Sequence, residues 1–149
     1  VIMKRALQTI VLLTAVAGGG GNVLAAGDVE GSPAALLRLE LNRLDQNGEA
    51  CRFTFLVMNG LPADLAEMSA EIVLFDSKGL VERMTSVNFG VLGKDRTLVK
   101  RFDLPALSCA GVSRILVNGI GKCAGAGLDA GACASGLQTD NRTSIPFGR

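Results

Sequence analysis

The chain has 149 residues, with 15 Lys and Arg against 14 Asp and Glu, and no His, Trp or Tyr. Without histidine it cannot build a Ser-His-Asp or Cys-His nucleophilic centre, or a histidine metal site, from its own residues. The balanced charge carries no run of one sign, which argues against nucleic acid and against a polybasic membrane patch, and six Phe leave little for base stacking.

In chain order, the basic pair Lys4-Arg5 precedes an apolar run from Ala6 to Ala17, the glycines Gly18 to Gly21, and Val23-Leu24-Ala25-Ala26. This reads as a cleavable signal over residues 1–26, with a basic start, a hydrophobic centre and small residues at the cut. The apolar run is too short to span a bilayer, so no stable membrane insertion is expected after processing, and the mature chain is expected in the periplasm or secreted. Processing removes Lys4 and Arg5, which turns a formal charge of +1 into one of −1. Lys4-Arg5 is not a twin-arginine pair; the general secretory route is the default and the twin-arginine route the alternative. About 120 residues remain, the size of one domain. Residues 27–35 mix Gly, Ser, Pro and acids as a flexible leader, and 36–149 carry the fold.

Leu37, Leu39 and Leu41 alternate with Arg38, Glu40 and Asn42, as a half-buried strand requires, although Leu37, Leu41 and Leu44 would also share a helix face. Asp45-Gln46-Asn47-Gly48 supplies a hairpin turn. Cys51 to Met58 reads as a central strand, with Phe53, Phe55 and Val57 on one face, and Asn59-Gly60-Leu61-Pro62 stops it. Ala63 to Met68 has room for one helical turn. Glu71 to Phe75 is a strand leading into Asp76-Ser77-Lys78-Gly79, a type I turn by its Asp and Gly. The return strand covers Leu80 to Phe89, and Gly90 to Arg96 is a loop. Thr97 to Leu104 places Leu98, Phe102 and Leu104 opposite Arg101 and Asp103, and Pro105 ends it. Val112 to Val117 is expected to stop at Asn118-Gly119. Cys123 to Gly136 reads as a Gly-rich stretch that buries little, and Leu137 to Phe147 as a last edge strand. Six or seven short strands with regular turn signals predict an all-β antiparallel sandwich.

Four cysteines allow three pairings. If Cys51–Met58 lies antiparallel to Thr97–Leu104, Cys51 comes near Cys109, and Cys123 pairs with Cys133 across a Gly-rich loop at 123–133. Cys51–Cys123 with Cys109–Cys133 is the competing set. No C-x-x-C spacing and no histidine support a metal site, and no cofactor is expected. Asn59, Asn118 and Asp129 are candidate ligand-binding residues at one end of the sandwich; strand-ending turns explain the two asparagines equally well. Glu71, Asp76, Asp95 and Asp103 are the acids a carboxylate-based hydrolase would draw on. Lys94, Arg96, Lys100 and Arg101 form the densest basic stretch, split between two faces by strand alternation. Gly125 to Ala130 matches the letters of a dinucleotide fingerprint without its strand and helix context, and Asn141-Arg142-Thr143 those of a glycosylation acceptor.

Phe55-Leu56-Val57-Met58-Asn59, followed by Val73-Leu74-Phe75-Asp76-x-x-Gly79-Leu80-Val81, resembles the FxLYD-type immunoglobulin-like domains of secreted bacterial proteins over roughly Cys51 to Leu104, with Phe75 where that family usually has Tyr. The whole chain is similar to small exported bacterial proteins labelled by a twin-arginine signal. The resemblance implies an immunoglobulin-like sandwich of about seven strands and an exported location, and it transfers no active site. The expected function is a non-catalytic binding or assembly module that engages another envelope protein. The alternatives are a periplasmic carrier of small molecules or ions and, last, the hydrolase.

Overall fold

The computed structural model describes residues 36–129 and 131–149. The expected signal and leader lie outside the described residues. Eight strands run in chain order: β1 (Leu37–Asn47), β2 (Ala50–Asn59), β3 (Leu65–Phe75), β4 (Val81–Leu92), β5 (Thr97–Leu104), β6 (Arg114–Gly125), β7 (Leu137–Asn141) and β8 (Phe147–Gly148). They form two four-stranded sheets, ordered β5-β2-β1-β7 and β4-β3-β6-β8. The fold is the expected immunoglobulin-like β-sandwich, with eight strands; its sheets are mixed and not purely antiparallel, because β7 and β8 lie parallel to β1 and β6.

Strand alternation builds the interior. Leu37, Leu39, Leu41, Phe53, Phe55 and Val57 from the first sheet meet Ala70, Ile72, Leu74, Val87, Phe89, Ile115 and Val117 from the second, all buried. At the centre the Phe55 ring lies 6.1 Å from Phe89, 6.2 Å from Phe102 and 6.0 Å from Phe147. β2, β4, β5 and β8 thus contribute to one aromatic cluster, and β1, β3, β6 and β7 to the aliphatic layer around it, so that apolar burial joins the sheets.

Turn chemistry sets the hairpins. Asn47 pairs with Ala50, so the β1–β2 loop is Gly48-Glu49, and only Gly48 takes positive φ (57°). A two-residue loop with glycine first matches the twist of the flanking strands. In the β3–β4 hairpin the Asp76 carboxylate accepts N–H bonds from Lys78 and Leu80, and Gly79 sits at φ 78°. Alanine at Gly79 would be strained there.

Four expectations about where elements begin and end need correction, and β-bulges explain most of them. Ala63 to Met68 makes no helical turn: β3 begins at Leu65, and its pairing with β4 shifts register between Leu65 and Met68. A bulge brings residues three apart onto one side, so buried Leu65 and Met68 mimic helical spacing. Nor does Asn118-Gly119 end a strand. Ile72 pairs with Val117 and Glu71 with Gly119, so Asn118 is an extra residue, and β6 continues through Cys123 to Gly125. Likewise β4 runs past Gly90 (φ 78°) to Leu92, leaving a shorter loop than expected. Finally, Leu137 to Phe147 is two strands in different sheets. β7 lies parallel to β1, and β8 lies parallel to β6. Between them the Asn141 side chain accepts the Thr143 N–H and donates to the Ile145 carbonyl, turning the chain from one sheet to the other.

The disulfides are Cys51–Cys109 and Cys123–Cys133, with Cα atoms 5.0 Å and 5.9 Å apart. The first follows from register: Cys51 pairs with Leu104 at the end of β5, and a short 3-10 turn at Cys109–Gly111 returns the thiol. Gln46 holds that turn in place, its Oε1 accepting the Cys109 N–H and its Nε2 donating to the Gly48 and Ala50 carbonyls. The second ties β6 to a four-residue helical turn, Ala132–Ser135, in which Cys133 is fully buried. The stretch expected to bury little therefore closes one end of the core.

Candidate functional site

The residues singled out from the sequence do not form one site. Asn59 is completely buried at the end of β2. Its Oδ1 accepts the Leu61 N–H, and its Nδ2 donates to the Ala63 carbonyl at 2.9 Å and the Leu92 carbonyl at 3.0 Å. Its backbone joins in, donating to the Arg96 carbonyl and accepting from Asp95. With both amide hydrogens committed, the side chain fastens the loop after β2 to the end of β4 and has no donor for a ligand. Asp129 lies at the same end, beyond β6, where its carboxylate accepts the Gly131 N–H ahead of the helical turn. Asn118 sits mid-strand on the outer face of the second sheet and donates to Glu71.

The acids are spread in the same way. Glu71 is on the outer face of the second sheet and Asp103 on that of the first. Asp76 and Asp95 lie in turns at opposite ends. Asp103 is in a bidentate ion pair with Arg52, at 2.6 and 2.7 Å, and also accepts from Asn47. The Arg52 guanidinium holds the Asp103 carboxyl below the usual carboxylate range, and a hydrogen bond from Lys122 does the same for Glu67. Asp103 is ion-paired, Glu71 accepts from Asn118, and Asp76 and Asp95 lie in turns, so the four acids share no site. Gly125 ends a strand and Gly127 (φ 74°) makes a tight turn, with no parallel strand–helix–strand unit around them. Among the described residues no group of His, Cys, Asp or Glu is placed to hold a metal ion.

On one flank the sandwich ends in two edge strands, β4 and β5. Among the described residues β4 pairs with β3 along one side only, through twelve residues that include no proline. Its inward side chains, Val87 and Phe89, are buried; its outward ones include Glu82, Met84, Ser86 and Asn88. Leu80, Val81 and Met84 are 62%, 59% and 56% exposed. Across the outer face Met84 aligns with Val73, and Val73 with Leu116; next to this row Phe75 packs under the Arg114 guanidinium at 5.2 Å. Arg83 reaches across the flank of the sandwich and donates to the Pro105 carbonyl. The return strand was readable in the sequence, but its edge position was not. The one available signal was Arg83 and Thr85 on the face that carries Val87 and Phe89, because inward polar side chains suit a strand with water on one side.

Comparison with known proteins adds to the fold. No family model matches the chain, and no curated protein matches it. Among solved structures, the chain is similar to IrmA from Escherichia coli, with a TM-score of 0.52 and 13% sequence identity, covering 75% of this chain and 95% of that one. At this identity the likeness concerns the sandwich alone.

Proposed function

We propose that this domain is a non-catalytic binding or assembly module of the bacterial envelope, and that it takes up an extended segment of another protein along the edge of β4. The observation that carries the reading is the unpaired side of β4 beside the exposed Leu80, Val81 and Met84. A strand free on one side offers a row of backbone donors and acceptors, and alternate side chains of the added strand would meet the apolar row through Met84. On the same proposal residues 1–26 are the export signal, and the mature domain works in the periplasm or outside the cell. Two disulfides support a compartment outside the cytoplasm. Among the described residues no helix is long and apolar enough to cross a membrane. The kinship with exported proteins that carry twin-arginine signals, and with FxLYD-type domains, belongs to this proposal too.

Site-specific photo-crosslinking tests it. A crosslinker placed at Met84 in the exported protein should give one dominant adduct with an envelope protein, lost on introducing Val81→Lys, while a crosslinker at Thr97 on the other sheet gives none. Equal labelling from both positions, or none from Met84, contradicts the reading.

A further inference from the structure

A second surface, on the opposite sheet, carries a pattern of charge that the β4 edge does not explain. Register places three rows across the outer face of the first sheet. Arg43 aligns with Thr54 and Thr54 with Arg101; next to this row run Asp45, Arg52 and Asp103 on one side, and Glu40, Leu56 and Val99 on the other. The β1 bulge between Leu41 and Arg43 is what brings Arg43 onto this face. Arg43, Thr54 and Arg101, with Asp45, Arg52 and Val99, line an open cleft of about 450 Å³.

The cations in this cleft are not equivalent. The Arg52 fork is consumed by the Asp103 carboxylate. Arg43 meets Asp45 only at 3.9 Å, with both side chains well exposed. Arg101 has no ion-pair or hydrogen-bond partner among the described residues, and neither does the Thr54 hydroxyl. Arg43 and Arg101 flank Thr54 from either side, two strands apart and about 10 Å between backbones, and all three line the same cleft. Such forks match planar carboxylates. Beside them the surface is aliphatic: Val99 is 54% exposed and Leu56 half-buried. Among the described residues this face presents no aromatic ring on which a sugar or base would stack.

We infer that the Arg43–Thr54–Arg101 row binds an acidic peptide segment, one carboxylate seated over Thr54 between the two guanidinium groups and a neighbouring aliphatic side chain resting on Val99 and Leu56. The site lies on the other sheet from β4, so it stands or falls independently of the edge. The test is a titration of the isotope-labelled full chain, both bridges formed, with an acetylated and amidated hexapeptide alternating valine and glutamate. Saturable amide shifts are expected at Thr54, Val99 and Arg101, and they should be absent with the valine–glutamine peptide. Arg43→Gln and Arg101→Gln should each weaken binding by about tenfold, the loss of one charge-assisted hydrogen-bonding partner. Both side chains are exposed, and unchanged amide signals from β3 and β6 confirm that the variants fold. Shifts confined to β4, wild-type affinity in either variant, no saturable shift, or tighter binding of a sulfated dextran than of the peptide would each overturn the inference.

Discussion

Asn59 shows how a residue that looks like a ligand-binding group serves the fold instead. Its buried amide satisfies one backbone donor and two backbone acceptors from segments far apart in sequence. Removing it strands those groups where water cannot reach them, which costs more than the net value of the bonds. Asn59→Ala is expected to lower stability by about 3 kcal/mol, read from urea unfolding. A loss below half a kcal/mol would mean that the site is wetter than it looks. Gly60 beside it has its own constraint, since a Cβ there would lie 2.7 Å from the Leu36 carbonyl. At the other end of the first sheet, Asp103 is held in its ionised form by Arg52 and Asn47, with its proton affinity lowered on folding. The unfolded chain therefore takes up this proton at higher pH than the folded one. The contribution is complete above the ordinary carboxylate range and fades as the pH falls through it. The stability gap between wild type and Asp103→Asn should accordingly shrink between pH 7 and pH 3, and a gap that widened on acidification would contradict the assignment.

Strands and turns were legible wherever one face alternates cleanly. Phe53-Phe55-Val57 gave a central strand because three aromatic or β-branched positions in strict alternation admit no other packing, and Asp76 to Gly79 gave a turn by its own hydrogen bonds. Bulges were not legible. Leu65/Met68 imitates helical spacing, and Asn118-Gly119 and Gly90 imitate turns, because an extra residue in one strand needs the same permissive side chains and breaks the same alternation as a stop. Only the partner strand distinguishes them. The disulfides, in contrast, followed from strand pairing, and each closes an element that the sheets alone leave loose. Cys51–Cys109 spans 58 residues and Cys123–Cys133 spans 10. Removing the first by paired Ser substitution should cost about 4 kcal/mol and the second about 3, by loop-closure entropy in the unfolded chain. Equilibrium unfolding of the two double variants checks the order, and the reverse order would show that Gln46 and its hydrogen bonds already hold the Cys109 turn without the bridge.

At the scale of the molecule, the last residues decide how the sandwich is closed. β7 extends the first sheet and β8 the second, so that one short segment spans both layers along one flank, while β4 and β5 stand opposite as open edges. No sequence pattern announced this division. Leu137 and Phe147 are ordinary apolar residues, and the two parallel pairings depend on where β1 and β6 already lie. The candidate site was equally hidden, because exposure of Leu80, Val81 and Met84 is a property of β4's place in the sheet and not of its composition. On the proposed function, the sandwich matures outside the cytoplasm with these two bridges and no other. Peptide mapping under non-reducing conditions, on protein recovered from its native envelope, addresses that directly. The expected result is a chain beginning at Gly27 with Cys51 joined to Cys109 and Cys123 to Cys133. Four free thiols, or a Cys51–Cys123 peptide, would contradict it.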